Sequence, residues 1–118
     1  MTWTVRFDDA FESEFEAMPQ NVRESLAAAA TLLATYGPRL GRPYVDSLAG
    51  SKHSNMKELR FNAQSGVWRV AFAFDSARQA ILLVAGDKAG VAQKRFYKVL
   101  IDRADGRFAA HLNRLKVK

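Results

Sequence analysis

Three apolar stretches in the middle of the chain, joined by short polar links, limit most strongly how this sequence can fold. The stretches are MKELRF at 56–61, VWRVAFAF at 67–74 and QAILLVAGDK at 79–88, and the links are NAQSG and DSAR. The stretches are rich in β-branched and aromatic residues, which fit a pleated, half-buried surface. Links of this length suit β-hairpins. The sequence therefore predicts three antiparallel strands in a meander.

The segment before the meander predicts one strand and two helices. TWTVRF at 2–7 alternates polar and apolar residues, as a strand with one buried face does. Asp9 has the position of an N-cap, with a glutamate three residues later, and Pro19 ends the short helix that follows. Apolar residues at helical spacing predict a second helix over 21–36. The glycine-, proline- and serine-rich segment 37–55 is predicted to be a loop.

A long amphipathic helix is predicted after the meander. Residues 93–115 carry apolar side chains on one side and cations elsewhere, with Gly106 as a weak point. The order β-α-α-β-β-β-α predicts an α+β fold, an antiparallel sheet with the N-terminal helix pair on its apolar face. The length of 118 residues and the hydrophobic content of 48% fit a single domain over 1–118. The final helix is interpreted either as an ordinary packed helix or as an element that moves when a partner binds.

The composition excludes several other classes of protein. The sequence has no cysteine, which excludes disulfides and thiolate metal sites. No apolar stretch reaches the roughly 20 residues of a membrane span. The N-terminus lacks the basic start and continuous apolar run of a secretory signal. We therefore expect a soluble protein of a reducing cytoplasm, without a membrane partner.

Charge is spread unevenly along the chain. Residues 1–38 contain two basic and six acidic side chains, a net charge of −4, so residues 39–118 must carry +10 to give the total of +6. Clustered lysine and arginine attract polyanions, because each phosphate that they neutralise releases counterions. Nucleic acid is therefore the leading candidate partner, and an acidic protein is the alternative.

Arg69 interrupts an otherwise apolar strand, and the alternation of side chains predicts its surroundings. Its face of the strand carries the small Ala71 and Ala73, whereas the other face is bulky and belongs on the core. The same alternation places Glu58 and Arg60 of the preceding strand beside Arg69. A small-walled face with two arginines fits an anionic ligand, although Arg69 can also be a cation that covers a solvated sheet face. The bulky set consists of Trp68, Val70, Phe72 and Phe74.

A second group of cations follows the last strand of the meander. Lys88 leaves that strand, and Lys94, Arg95 and Tyr97 open the final helix. Like charges crowded together repel one another unless an anion is present. This group is therefore interpreted either as part of a binding site or as solvated surface.

No other motif indicates a known catalytic centre. His53 and His111 are far apart, without further ligands at metal-binding spacing, so both are expected at the surface and no metal site is predicted. The chain has no P-loop, dinucleotide-binding glycine motif or nucleophile elbow. The aromatic residues Phe72, Phe74 and Phe108 have the spacing of core residues.

The meander and the final helix together resemble a known family. The segments MKELRF, GVWRVAFAFD, ILLVAGDKAG, KRFYK and AD.RF..HL are similar to the RelE/HigB superfamily of bacterial toxins, most closely to its phage-derived HigB-like branch. The resemblance covers nearly the whole chain. It implies the RelE-like fold and a small cytoplasmic endoribonuclease that cuts messenger RNA, often on the ribosome, without a metal or other cofactor. It also implies the toxin of a toxin-antitoxin pair, held inactive by a helix-turn-helix antitoxin encoded beside it.

The resemblance implies roles for residues of the basic half. By position, Arg60 and Arg69 match phosphate-binding arginines of the sheet, and Lys88, Lys94 and Tyr97 occupy the region of the remaining catalytic side chains. Attack by the 2′-hydroxyl of RNA needs a proton acceptor, charge stabilisation and a proton donor. The arginines suit charge stabilisation, whereas a lysine among other cations, or the tyrosine, suits proton transfer. Further RNA contacts are expected from the surrounding basic residues Lys52, His53, Lys57, Arg95 and Lys98.

Two alternative functions stay open at this point. ParE-like toxins share the fold and act on DNA gyrase through protein contacts, and a phage-derived accessory protein could bind nucleic acid without cutting it. Arginines on the sheet face favour the nuclease, because a protein-binding surface has no particular need for them there. The assignment of base and acid stays open as well. Some relatives rely on histidine or acidic groups near the C-terminal end, where this chain has only Asp105 and His111.

Overall fold

A computed structural model describes residues 2–116, which form a five-stranded sheet and three α-helices. In chain order the elements are β1 (Thr4–Phe7), α1 (Asp9–Glu16), α2 (Gln20–Tyr36), β2 (Val45–Ser47), β3 (Met56–Ala63), β4 (Gly66–Phe74), β5 (Gln79–Asp87) and α3 (Gln93–Lys116). Apart from β2 this is the predicted order, and the α+β fold is confirmed. The N-cap of α1 is Asp8 and not Asp9, since Asp8 accepts a hydrogen bond from the backbone N–H of Ala10.

The strand order in the sheet is β1-β5-β4-β3-β2, and the predicted meander of β3, β4 and β5 is confirmed. β1 lies at an edge and pairs with β5 in parallel, so the prediction of a wholly antiparallel sheet is wrong. Neighbouring strands joined by a hairpin must be antiparallel, but two helices separate β1 from the meander and free it from this constraint.

The segment 37–55, predicted as a loop, contains a 3₁₀ helix at Gly37–Arg39 and the strand β2. β2 pairs antiparallel with β3, with Val45 opposite Leu59. Three residues are too few to show alternation, so the sequence pattern does not reveal β2. The pairing brings the loop that follows β2 to α3, where Gly50 lies beside Ile101.

Helices cover both faces of the sheet. α1 and α2 pack on the face of Leu59, Val70 and Phe72, as predicted for the helix pair. α3 packs on the opposite face, over Ala71 and Ala73, which are fully buried. The expectation of an open small-walled face is therefore wrong at these two alanines, because their small side chains let bulky residues of α3 approach the sheet. These bulky residues are Phe96, Leu100 and Phe108.

Phe74, Phe108 and the two histidines pack in or against the core. Phe108 is buried as predicted, and Phe74 is partly buried against the α1/α2 core. The two histidines predicted at the surface are partly buried. The ring of His53 packs against Phe108 with 5.0 Å between centroids, and Nε2 of His111 lies 2.9 Å from a carboxylate oxygen of Asp75. The imidazole of His53 thus packs against α3, and that of His111 joins α3 to Asp75, contacts that no local sequence pattern indicates.

α3 continues through Gly106, the predicted weak point, as far as Lys116. Within residues 2–116, no helix combines the length and the apolar character that crossing a bilayer requires.

Candidate functional site

The hairpin of β3 and β4 places the two predicted arginines side by side. Arg60 is directly opposite Arg69 in the register, and Glu58 is directly opposite Ala71. Directly opposite residues of an antiparallel pair project to the same face, with their Cβ atoms about 5 Å apart. Because Ala71 packs beneath α3, all three charged side chains project to the α3 side of the sheet. The predicted common face of the three residues is therefore confirmed.

The carboxylate of Glu58 lies at the centre of this group, and the residue is only 5% exposed. Its Oε2 is 3.8 Å from Nε of Arg60, and its Oε1 is 3.7 Å from Nε of Arg69. Oε1 also accepts a hydrogen bond of 2.7 Å from the hydroxyl of Tyr97 on α3. A buried carboxylate needs such partners, since desolvation of an unpaired charge is costly. The two guanidinium groups and the phenol thus hold Glu58 in place.

Arg69 lies behind Glu58 and is 6% exposed. Its Nη1 donates to the backbone carbonyl of Trp68 at 2.9 Å, while its buried Nε has no hydrogen-bond partner within residues 2–116. Both interpretations of Arg69 from the sequence expected a side chain open to solvent or ligand, and this expectation is wrong because α3 covers the strand. Arg69 instead places a positive charge directly behind the Glu58 carboxylate.

An open groove of about 760 Å³ lies in front of this group, and we call it the charged groove. Arg60 reaches it from β3, and Lys88 reaches it from the turn after β5. Lys94 and Tyr97 reach it from the first turns of α3, and residues 46–50 form the opposite wall. The ammonium group of Lys88 lies 5.7 Å from the centre of the Tyr97 ring. Three cations therefore line a groove that is open to solvent, together with the phenol of Tyr97 and two carboxylates, the buried Glu58 and Asp46 of the opposite wall.

The environment of Tyr97 keeps its hydroxyl protonated. Burial raises the pKa of Tyr97 above its ordinary value of 10.0, and the hydrogen bond to Glu58 raises it further, against an opposing effect of Arg69. The phenol therefore continues to donate to Glu58 at neutral pH. The charged groove combines a carboxylate that can accept a proton with cations that can stabilise negative charge or donate protons.

None of the five predicted RNA-binding residues lines the charged groove, and three of them, Lys57, Arg95 and Lys98, project away from it. Lys57 is opposite Phe72 in the register and therefore projects to the α1/α2 face. Arg95 lies on the other side of α3, in a different groove. Lys98 is exposed and forms an ion pair of 3.2 Å with Asp102. The structure does not bring these three cations together with Arg60 and the other cations of the charged groove.

Lys52 and His53 lie in the loop that continues from the groove wall towards the middle of α3. The backbone N–H of Lys52 donates to Asp105 at 3.0 Å, and the same carboxylate accepts a hydrogen bond from the hydroxyl of Ser51. The imidazole of His53 packs on Phe108. Asp105, an acidic residue near the C-terminal end, thus anchors this loop and supports the wall of the charged groove.

The sequence analysis assigned no role to Glu58, although the geometry makes this residue central. Its alternation with Arg60 already placed it on the face of Arg69, and a carboxylate between two arginines on one face indicates an ion pair. The approach of Tyr97, thirty-nine residues further along the chain, depends on how α3 crosses the sheet. No local pattern contains that information.

Comparison with known proteins identifies the family. The family described as phage-derived protein Gp49-like matches residues 13–109, and the chain belongs to this family. HigB2 of Mycobacterium tuberculosis is 50% identical over 111 residues, which are 93% of this chain and 54% of HigB2. HigB3 of the same organism is 49% identical over 96 residues, which are 81% of this chain and 82% of HigB3. Both relatives carry provisional toxin names, and the chain spans about half the length of HigB2.

The Escherichia coli toxin RelE is similar in fold. A structure of RelE in the free state, solved for a double arginine-to-alanine mutant, matches with a TM-score of 0.58 and 16% identity. The match covers 86% of this chain and 95% of the RelE chain, and at this identity it supports the fold alone. Together with the Gp49-like family and the HigB relatives, it confirms the predicted resemblance to the phage-derived branch of the RelE/HigB superfamily.

Proposed function

We propose that the chain is the toxin of a toxin-antitoxin pair, and that it is an endoribonuclease that cleaves messenger RNA without a metal ion. The observation that carries the proposal is the charged groove, where three cations surround Glu58 and Tyr97. The toxin names of the HigB relatives support the same assignment. The positive charge of residues 39–118 fits a polyanionic substrate. We assign the activity to a single toxin domain over residues 1–118.

The proposed reaction starts with proton transfer to Glu58. Its Oε1 is engaged by Tyr97, whereas Oε2 makes only the long contact with Arg60 within residues 2–116 and is the available acceptor. A 2′-hydroxyl that reaches Oε2 gives up its proton and attacks the adjacent phosphorus. The bond from phosphorus to the 5′-oxygen breaks, which leaves a 2′,3′-cyclic phosphate and a 5′-hydroxyl end. Arg69 and Tyr97 position the carboxylate throughout.

The cations of the groove stabilise the charge that grows on the phosphate. Arg60 can bind two phosphoryl oxygens with its planar guanidinium, and Lys88 adds a point charge. The attacking and leaving oxygens lie in line on opposite sides of phosphorus, so the proton donor must lie on the side away from Glu58. Tyr97 is bonded to Glu58 itself and does not meet this condition. Lys94, with Lys88 as the alternative, is therefore the proposed donor to the 5′-oxygen.

The test is cleavage of a reporter messenger RNA by the purified protein, with and without ribosomes and in the presence of EDTA. We expect defined cuts that persist in EDTA and leave 2′,3′-cyclic phosphate ends. Glu58→Gln and Arg60→Gln should each lower the cleavage rate about 100-fold or more. Arg39→Gln is the matched control, because Arg39 is exposed outside the groove, and it should change the rate by less than about twofold.

RNA binding and RNA cleavage should separate between the two variants. Arg60→Gln removes a phosphate ligand and should weaken both. Glu58→Gln removes a negative charge from the groove, so binding measured by fluorescence anisotropy should be maintained or improved while cleavage is lost. Circular dichroism at the assay temperature verifies that each variant is folded. Unchanged cleavage in both variants rejects the site, and intact RNA with altered DNA supercoiling favours a gyrase-directed toxin.

The partners of the proposed toxin follow from the same assignment. We propose that its substrate is messenger RNA in the decoding site of the ribosome, in the cytoplasm. Its inhibitor is a helix-turn-helix antitoxin encoded beside it. Growth arrest on expression of the chain, relieved by coexpression of the neighbouring small gene, supports this assignment. Growth arrest that Arg60→Gln does not relieve argues against it.

A further inference from the structure

A second groove lies on the other side of α3, and the proposed nuclease does not use it. It has a volume of about 230 Å³ and runs between β5 and the first half of α3. Side chains of valine, leucine and phenylalanine line most of it, and we call it the apolar groove. α3 presents one stripe of residues to each groove: Lys94, Tyr97 and Ile101 to the charged groove, and Arg95, Val99 and Arg103 to the apolar groove.

Two valines of the apolar groove are unusually exposed. Val99 is 51% exposed and Val91 is 43% exposed, while Val84 and Leu100 form a buried floor beneath them. Apolar side chains at the rim of a concave site with an apolar floor are typical of binding pockets. The groove is therefore shaped to receive an apolar side chain from outside.

The apolar groove runs beside a sheet edge that is open. β1 pairs with β5 only as far as Leu82, so beyond this point β5 has no strand neighbour on that side within residues 2–116. At the next residue, the guanidinium of Arg107 donates to the carbonyl of Leu83 at 2.7 Å and closes the edge locally. In the described part of the chain, the rest of β5, up to Asp87, has no strand on this side.

The register of β5 determines which of its backbone groups point outwards. The N–H of Lys88 donates to the carbonyl of Val67, directly across from it on β4. Hydrogen-bonding direction alternates along an antiparallel strand, so the N–H and C=O groups of Ala85 and Asp87 point away from β4. Such a row of backbone groups is a template for an added strand.

Cations at the rim define the charge of the segment that fits. Arg95 and Arg103 are exposed beside the apolar groove, and within residues 2–116 neither has a carboxylate oxygen within 4 Å, although Arg103 acts on Glu14 of α1 at longer range. Carboxylates of an incoming segment would complement both. A nucleic acid fits poorly, because the groove is apolar and a nucleic acid has no peptide groups to pair with a strand edge.

We propose that the apolar groove and the open part of β5 bind an extended, acidic segment of a protein partner. The segment adds a strand beside Ala85 and Asp87, inserts an apolar side chain between Val91 and Val99, and places a carboxylate against Arg103. That this partner is the antitoxin rests on the proposed function, whereas the docking site itself does not.

The probe is a display library of random peptides about twelve residues long, selected on the whole protein. We expect enrichment of sequences that alternate apolar and acidic residues. A selected peptide should bind Val99→Asp and Arg103→Glu about 10-fold or more weakly than the unaltered protein. Arg39→Glu, a charge reversal on a distant surface, should stay within about twofold. Hydrogen exchange of the Ala85 and Asp87 amides should slow about 10-fold or more when the peptide binds.

Several results overturn this proposal. They are a selection without enrichment, enrichment without acidic residues, equal binding by Val99→Asp, and unchanged exchange of the two β5 amides. The RNA assay separates this proposal from the nuclease, because Val99→Asp lies outside the charged groove and should cleave RNA as fast as the unaltered protein. Peptide binding without RNA cleavage rejects the nuclease alone, and cleavage without peptide binding rejects the docking site alone.

Discussion

Replacing Glu58 by glutamine should destabilise the protein, because the change leaves the Arg69 guanidinium buried without its counter-charge. Both residues are at most 6% exposed, and Oε1 lies 3.7 Å from Nε. At an effective dielectric constant of about 20, two unit charges at this distance attract by roughly 4.5 kcal/mol. Removing the carboxylate also removes its own desolvation cost, so the expected loss is smaller, about 3 kcal/mol of unfolding free energy.

A double-mutant cycle measures this coupling directly. Urea unfolding gives the free energies of Glu58→Gln, Arg69→Gln and the double variant, provided that the m-values stay equal. The double variant should lose about 2 kcal/mol less than the sum of the single variants. Lys98 and Asp102 provide the matched control, since they are 3.2 Å apart but exposed, and their coupling should stay below about 0.5 kcal/mol. A Glu58–Arg69 coupling as small as this would refute the reasoning from burial.

The remaining predictions concern stability elsewhere in the chain. Gly106→Ala should raise the unfolding free energy by about 0.5–1 kcal/mol, because Gly106 lies inside α3 and an added Cβ has no neighbour within 4 Å among residues 2–116; a lower melting temperature would contradict this. Burial opposes ionisation of Asp75, but hydrogen bonds from His111 and from Gln79 and Ala77 outweigh it and hold the pKa of Asp75 below 3.8. Ionised Asp75 therefore stabilises the fold above pH 3.8, and this stabilisation is lost as the pH falls further. In Asp75→Asn, the unfolding free energy should decrease less steeply on acidification than in the unaltered protein, and an equally steep decrease would contradict this.

The meander and the helix pair could be predicted because their signals are local. Alternation along 56–61 and 67–74, with short links, determines strands and hairpins without reference to the rest of the chain. The location of α3 could not be predicted in the same way. Small residues such as Ala71 and Ala73 fit either a ligand or a closely packed helix. The apolar side of α3, with Leu100 and Phe108, is buried only if it packs against the sheet. Since α1 and α2 cover one face, α3 packs on the other, which carries the small residues.

Some features of the candidate site also follow from the local sequence, whereas others depend on contacts between distant segments. The common face of Arg60 and Arg69 follows from strand parity, and parity also excludes Lys57 from it. The separation of Lys94 from Arg95 follows from the rotation of about 100° between successive helical residues. The apolar residues of α3 indicate which of its stripes faces the sheet. They do not indicate which face of the sheet α3 covers. The pairing of Tyr97 with a carboxylate of β3 therefore required the structure.

The buried Glu58 is difficult to explain if the charged groove only binds polyanions. Its negative charge repels phosphate, and its burial costs desolvation free energy that a neutral residue would avoid. Affinity for RNA would therefore be served better by an uncharged side chain at this position. Catalysis has a different requirement, since it gains from groups that act in the transition state rather than in the bound complex. In the proposed nuclease, the positive charge of the basic half attracts the substrate, and the buried carboxylate of Glu58, which opposes this attraction, carries out the proton transfer.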